Sequence, residues 1–367
     1  MKFLLISPKN RTVYNFRGDL IREIKKRGYE VIVTGPDRLD VDRITSLGAR
    51  FVEIPMNKTG TSVVKDLRYC LQLYKLMKKE KPDVTLGYTV KPVVYGALAA
   101  KLAGVPNINS MVTGGGYTFT AKTGKAKILG FIVRILYRIG FGCTDHVIFQ
   151  NSDDLEEFCT RGLTKKEKCA VVNGSGVNMA HFQPASLPGE PSFFMLSRLL
   201  KSKGVMEYLA AAELVKMKYP QAHFYLLGKY ETSMQDAVSK EVVEGYIRRK
   251  IVERFEETSD VRPYYERSSV YVLPSYREGT PRTVLEAMAM GRAIVTTDTN
   301  GCRETVKDGY NGYLVPVGDA ETLAEKMEQF IKDENLAKLM GENSIAYCRE
   351  KFEITKVNRQ MLKIMEM

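Results

Sequence analysis

The feature that most constrains this chain is an alternation, run through twice, of short β-branched or aromatic segments with amphipathic helical ones. In the first half KFLLIS, EVIVTGP, RFVEIP, DVTLGYT, PNINSMVT and DHVIFQNS read as strands, and FRGDLIREIKKRG, DVDRITSLG, SVVKDLRYCLQLYKLMKKEKP, KPVVYGALAAKLAG and ILGFIVRILYRIGFGC read as the helices between them. A second alternation starts at SFFMLSRL and runs through GVMEYLAAAELVKMKYP, AHFYLLG, a helical region near 234–250, SSVYVLPS, a helix over 281–290, RAIVTTD, GYLVPV and a helix over 320–332. Strands traded one for one with helices predict parallel, doubly wound α/β sheets. A chain of 367 residues is too long for one comfortable core. The stretch PASLPGEPS at 184–192 collects three prolines, a glycine and two serines, and is the natural linker. The expected organisation is therefore two Rossmann-like domains, 1–185 and 186–350, facing across a ligand cleft at the carboxyl ends of their strands, with a closing helix over 351–367.

Charge is distributed unevenly. The net charge is +12. Residues 1–185 hold 29 Lys/Arg against 16 Asp/Glu, whereas the remainder holds 26 against 27. A positive half-chain attracts phospholipid headgroups, nucleic acid or a pyrophosphate-bearing substrate, or it serves solubility alone. Nucleic acid is disfavoured because no basic run interleaved with aromatics appears. Residues 122–142 mix Lys122, Lys125, Lys127, Arg134 and Arg138 with apolar Ile128, Leu129, Phe131, Ile132, Val133, Ile135, Leu136 and Ile139. That stretch is too short and too charged to span a bilayer, and suits either an interfacial helix or a buried one. The start, MKFLLISPKN, reads as a strand cut off by Pro8 rather than a secretory signal. Six cysteines and three histidines are scattered without metal-ligand or disulfide spacing, so no metal site is expected. Asp40-Val41-Asp42 has the form of a DxD but follows a Gly-Pro turn and reads as a helix start.

The densest pattern is LPSYREGTPRTVLEAMAMGRAIV, Leu273–Val295. Thr280 and Pro281 have the form of an N-cap with proline in the first helical turn. The amides near Arg282 and Thr283, with Gly279 ahead of them, are placed to receive phosphate or sugar oxygens. Glu286 falls among apolar residues and needs strong donors, which a ribose diol offers. Glu278 lies before the helix, where a loop aims it at a donor sugar. The same spacing also suits a solvent-facing Glu286 and a Glu278 that merely favours the helix N-terminus.

Glu278-x7-Glu286 within EGTPRTVLEAMAMGRAIV resembles the signature of glycosyltransferase family 4, and LSRLLKSKGVMEYLAAA resembles that family's phosphate-binding strand–loop–helix. VNGSGVNMAHFQP and DGYNGYLVPVGDAETLAEKM extend the likeness over nearly the whole chain. The resemblance implies a GT-B fold and a retaining, metal-independent transferase without a cofactor, using a UDP-sugar as donor. It implies that Arg198 and Lys203 neutralise the pyrophosphate, that Glu286 holds the ribose and that Glu278 contacts the donor sugar. It also implies a last helix, near 345–366, that crosses back to the first domain. YNFRG, the three-glycine loop and GVN resemble bacterial transferases that add N-acetylgalactosamine to undecaprenyl-linked saccharides. That likeness implies a polyprenyl-linked acceptor and a cytoplasmic enzyme held peripherally on an anionic membrane surface by its basic N-terminal domain.

On the N-terminal side the loop at 7–18 is expected beneath the pyrophosphate, with Arg17 or Gly18 in contact. Thr113, Gly114, Gly115, Gly116 and Tyr117 form a loop whose glycines admit close backbone approach to the sugar or acceptor. Many family members carry a histidine here, and this chain has none. Two rivals fit parts of the sequence: a UDP-sugar 2-epimerase of the same fold, and a non-enzymatic basic nucleic-acid-binding protein.

Overall fold

The structure is a computed structural model that describes residues 1–57, 62–114, 124–232 and 234–367, with the backbone alone for 124–129. It divides into two units, Met1–Ser175 with Thr355–Met367, and Gly176–Ile354.

The first unit runs β1 (Lys2–Ile6), α1 (Asn10–Lys26), β2 (Glu30–Gly35), α2 (Val41–Thr45), β3 (Arg50–Glu53), α3 (Val63–Glu80), β4 (Val84–Tyr88), α4 (Ala97–Ala103), β5 (Asn107–Val112), α5 (Gly124–Gly142), β6 (His146–Phe149), α6 (Ser152–Thr160) and β7 (Cys169–Val171). Among the described residues its strands form a parallel seven-stranded sheet, ordered β3-β2-β1-β4-β5-β6-β7. Phe3, Leu4, Leu5 and Ile6 are all buried, as a central strand covered by helices on both faces requires.

The second unit runs β8 (Ser192–Leu196), α7 (Val205–Lys218), β9 (His223–Leu227), α8 (Lys240–Arg248), β10 (Glu253–Phe255), α9 (Arg262–Glu266), β11 (Val270–Leu273), α10 (Arg282–Ala289), β12 (Ala293–Thr297), β13 (Gly312–Val315), α11 (Ala320–Lys332) and α12 (Leu336–Lys351). Its described strands form a parallel six-stranded sheet, ordered β10-β9-β8-β11-β12-β13. Both sheets reverse direction once, at β1/β4 and at β8/β11, and such switch points are where open α/β sheets bind ligands.

The sequence reading did not include β7, β10, α6 or α9, and four further details differ from it. The division falls after Ser175, not at 185/186, because the proline-rich stretch is bonded into the second unit. The buried Arg292 donates to Ala185 O at 3.0 Å and Ser186 O at 3.1 Å, and Val177 N donates to Phe352 O at 2.8 Å. At the other end the second unit runs to Ile354 rather than residue 350. The expected last helix is two helices, α12 and α13 (Ile354–Ile364), and Met361 and Leu362 of the second one, with Met365 just after it, are buried in the first unit's core. The 7–18 loop is mostly helix, since α1 begins at Asn10. There Ser7 Oγ both accepts from Lys9 N (3.2 Å) and lies 2.8 Å from Tyr88 Oη, which fixes a short turn.

Candidate active site

The switch point of the second unit is built from two loops that depend on glycine for their contact. Gly204 sits at φ +74°, and a Cβ there would lie 2.0 Å from Pro274 O, so only glycine lets the β8–α7 turn touch the end of β11. Tyr276 N donates to Ser202 O at 3.0 Å and Ser275 Oγ to the same oxygen at 3.3 Å. This seam brings Lys203 Nζ to 2.5 Å from Glu278 Oε1. The two side chains are 21% and 16% exposed, so the pair is far better shielded than a surface ion pair.

A third loop, after β12, holds Glu278 from behind. Glu278 N donates to Asn300 O at 3.1 Å, and Thr299 Oγ1 donates to Tyr276 O at 3.0 Å. Gly301, at φ +76°, packs so closely that a Cβ would lie 2.3 Å from Gly279 O and 2.5 Å from Glu278 O. Beneath it Cys302 is fully buried; burial first, and the Glu278 charge next, push its thiol up to about 12.

Helix α10 starts one residue later than its sequence suggests. Pro281, not Thr280, occupies the cap position, because its extended ψ of 108° cannot begin a helical turn. Pro281 at the cap position has no side chain that accepts from that first turn, and the amides of Arg282 and Thr283 lie at the positive end of the helix dipole. Glu286 lies one turn on, 13% exposed, between buried Leu285 and Ala287. Arg282 Nε lies 3.2 Å from its Oε1, and the Tyr265 hydroxyl lies 3.2 Å from Oε2 and 2.9 Å from Thr283 O. Burial raises the carboxyl's pKa, and the Arg282 charge and Tyr265 hydrogen bond oppose the shift. A carboxylate offers about four acceptor positions, so capacity remains for further hydroxyl donors. Arg282 Nη1 also donates to Gly176 O at 2.6 Å, fixing the guanidinium between the start of the second unit and Glu286.

Sequence reading named Arg282 only for its amide. Its side chain, together with Tyr265, Gly204 and Gly301, is a missed contributor. The Arg282–Glu286 spacing of four was the available signal for one of these; the others come from distant segments and carried none.

Arg198 is exposed, and its guanidinium forms no ion pair or hydrogen bond with the described residues. Its carbonyl accepts from Leu200 N at 2.8 Å, which shapes the turn leading to Lys203.

In the first unit Arg17 lies inside α1 and is buried, with Nη2 at 2.8 Å from Met111 Sδ, Nη1 at 3.3 Å from Ser175 Oγ and the guanidinium 5.4 Å from the centre of the Tyr88 ring. Gly18 is also mid-helix, 3.7 Å (from a virtual Cβ) from Leu47 after α2; it is a packing glycine rather than a loop amide. Thr113 and Gly114 follow β5, with Gly114 at φ +121°. Gly115, Gly116, Tyr117 and Lys122 lie outside the described residues, as do the side chains of Lys125 and Lys127. Asp40 opens α2 and Asp42 lies within it. Among the described residues no group of three or more His, Cys, Asp or Glu is placed to hold a metal ion.

Two family models match the chain: "Glycosyl transferases group 1" over residues 178–347 and "Glycosyl transferase 4-like" over residues 2–151. The N,N'-diacetylbacillosaminyl-diphospho-undecaprenol alpha-1,3-N-acetylgalactosaminyltransferase of Campylobacter jejuni is 28% identical, with 95% of each chain covered. The UDP-Gal:alpha-D-GlcNAc-diphosphoundecaprenol alpha-1,3-galactosyltransferase of Escherichia coli is 26% identical over 81% of this chain and 78% of its own. Among solved structures, sucrose-phosphate synthase from Thermosynechococcus elongatus superposes with a TM-score of 0.83 at 19% identity, covering 99% and 98% of the two chains. The Anabaena protein HepE, in complex with UDP and glucose, superposes with a TM-score of 0.81 at 17% identity, covering 100% and 99%.

Proposed function

The chain belongs to the family 4-type glycosyltransferases of GT-B fold, and on that premise we propose that it transfers an N-acetylhexosamine from a UDP-sugar to a polyprenyl-diphosphate-linked saccharide in bacterial glycan synthesis, with retention at the anomeric carbon and without a metal ion. The acceptor class is supported by the Campylobacter and Escherichia relatives, both named for transfer to diphospho-undecaprenol substrates, and the donor nucleotide by the UDP in the name of the second.

The observation that carries the reading is the meeting of Lys203 with Glu278 at the β8/β11 switch, beside the start of α10. Lys203 and Arg198 neutralise charge as the nucleotide diphosphate departs, and the amides of Arg282 and Thr283 add hydrogen bonds to its oxygens. Glu286 accepts from the ribose hydroxyls. Glu278 orients the sugar and, through its ion pair, aims Lys203. The bond from the anomeric carbon to the phosphate oxygen breaks, the acceptor hydroxyl bonds to that carbon from the same face, and its proton passes to the departing phosphate. No side-chain base is required.

The test is incubation of the purified protein with UDP-N-acetylgalactosamine or UDP-N-acetylglucosamine and a polyprenyl-diphosphate monosaccharide, with and without a chelator. The expected result is an α-linked lipid disaccharide by NMR, formed at equal rates in both arms. A β-linked product, chelator-sensitive turnover, or conversion of the UDP-sugar without any acceptor (the epimerase outcome) would overturn the corresponding part of the reading.

A further inference from the structure

Two cysteines of the first unit stand apart from everything the donor chemistry uses. Cys159 lies in the last turn of α6, Cys169 is the first residue of β7, and both are half-buried. Their Sγ atoms are 4.0 Å apart, within contact range. Other thiols meet backbone oxygen instead: Cys70 Sγ lies 3.6 Å from Tyr95 O, and Cys348 Sγ 3.7 Å from Leu285 O. The loop between the two helix and strand ends fixes their approach. Gly162, at φ +61°, closes α6 with its amide donating to Cys159 O at 2.8 Å. Arg138 of α5 donates from Nε to Gly162 O at 2.9 Å and from Nη2 to Arg161 O at 3.1 Å. Leu163 is buried, and Lys168 Nζ donates to Thr144 O at 2.7 Å. With both ends and the middle anchored, the sulfurs meet through backbone placement rather than through one chance rotamer.

A disulfide holds its sulfurs at about 2.05 Å. Closure therefore asks for about 2 Å of movement, which rotation about χ1 supplies at the loss of the Cys169 S–H bond to Lys165 O, now 3.2 Å. A metal suits the pair less well, since among the described residues no third His, Cys, Asp or Glu joins them in a ligand group. The two thiols are also unequal. Burial above all, with the Cys159 charge adding to it and the Thr164 hydrogen bond opposing it, pushes the Cys169 thiol up to about 11. Thiolate is the attacking form, so Cys169 keeps its proton until its neighbour has reacted.

We infer that Cys159 and Cys169 are a modification site, a dithiol that closes to a reversible disulfide by exchange with a small-molecule disulfide such as glutathione disulfide. The Cys159 thiolate attacks one sulfur of the reagent, the reagent's S–S bond breaks, and one glutathione leaves as thiolate and takes a proton from water. That capture also removes the Cys159 charge that opposed ionisation of Cys169. Cys169 then gives its proton to water and attacks Cys159 Sγ, and the second glutathione leaves as thiolate and is protonated in turn. The protein loses two electrons and two protons, and the reagent gains them as two thiols. The bond ties down a weak edge. Strand β7 has three residues and pairs on one side only, with β6. Val171 O accepts from Gln360 Nε2 at 2.8 Å, and Val172 shares a core with Met361 and Leu362, so α13 rests on this strand. Closing the segment 159–169 stiffens the strand that supports that helix.

The experiment is incubation of the full chain in a series of reduced and oxidised glutathione mixtures, followed by acid quenching, alkylation of the remaining thiols and peptide mass mapping. The expected product is a Cys159–Cys169 cross-linked peptide that dithiothreitol reverses, with Cys302 and Cys348 recovered as thiols. Cys169→Ser should halt at a mixed disulfide on Cys159, and Cys159→Ser should leave Cys169 reduced. Hydrogen exchange of the amides at 169–172 should be about tenfold or more slower in the oxidised protein than in the reduced one. A wild type that stops at the mixed disulfide would overturn the proposal. A bond between the Cys159 residues of two chains, or a cross-link that forms only in urea, would do the same. Equal exchange in the two forms would remove the stiffening. Mapping of the wild type needs neither variant, so the test stands even where a variant fails to fold. None of these readouts uses donor or acceptor, so the disulfide and the transfer reaction can fail separately.

Discussion

Lys203 and Glu278 stand 75 positions apart in sequence and 2.5 Å apart in space. On the proposed reading a diphosphate competes with Glu278 for the ammonium. Replacing Lys203 by Ala should lower kcat/KM by about 10²–10³-fold, as loss of a charge-stabilising donor does. Glu278→Gln frees the ammonium, so UDP affinity should hold or rise while turnover falls. Steady-state kinetics and UDP titration read the two effects separately; equal losses in affinity and turnover for both variants would reduce the pair to a structural tie.

Glu286 makes stability depend on pH in a definite direction. Its carboxyl titrates higher in the folded than in the unfolded chain, because burial outweighs Arg282 and Tyr265. The folded state therefore holds more protons above the ordinary glutamate range, and stability should fall as pH rises through the raised value. Glu286→Gln should flatten that slope and raise the thermal midpoint at neutral pH, while weakening donor binding by about tenfold or more. Thermal melts across pH, with and without UDP-sugar, measure both.

Gly301 and Gly309 offer a matched comparison, with φ of +76° and +74°. Alanine at Gly309 meets nothing within 4 Å and should cost only backbone strain, about 1 kcal/mol. Alanine at Gly301 meets Gly279 O and Glu278 O, so it must displace the Glu278 loop. It should lower kcat/KM as well as the melting midpoint, whereas Gly309→Ala lowers the midpoint alone.

Cys302 and Cys348 are buried thiols, each pushed up to about 12 chiefly by burial. Thiolate is the reactive form. In native protein both should resist iodoacetamide at neutral pH, while partly exposed Cys159 and Cys143 react first. Mass spectrometry of a labelling time course checks this, and early labelling of Cys302 would show that the Glu278 loop opens.

The charged spacing along one helix and the strand–helix alternation are local properties, so they were legible in order. Both sheets except their edge strands β7 and β10, the run from Lys203 into α7 and the position of Glu286 on α10 could be read from periodicity and a short motif. The boundaries were less legible. Proline content pointed to 184–192, but what decides a boundary is where backbone bonds go, and Arg292 draws Ala185 and Ser186 into the second unit. The start of α1 was hidden because its cap position falls on Lys9, which is no capping residue and makes no side-chain cap bond, and this turned Arg17 from an expected loop cation into a buried helical one.

The sequence by itself determined the class of fold and the kinds of side chain available to a nucleotide diphosphate, because periodicity and helix-start chemistry act over a few residues. Only the tertiary structure decided that Lys203 meets Glu278, that Tyr265 and Arg282 share Glu286, and that Gly301 closes the loop behind them. Except for the Arg282–Glu286 spacing of four, those contacts join segments distant in the chain, and whether two such segments approach within van der Waals range is settled by packing, which no local pattern encodes.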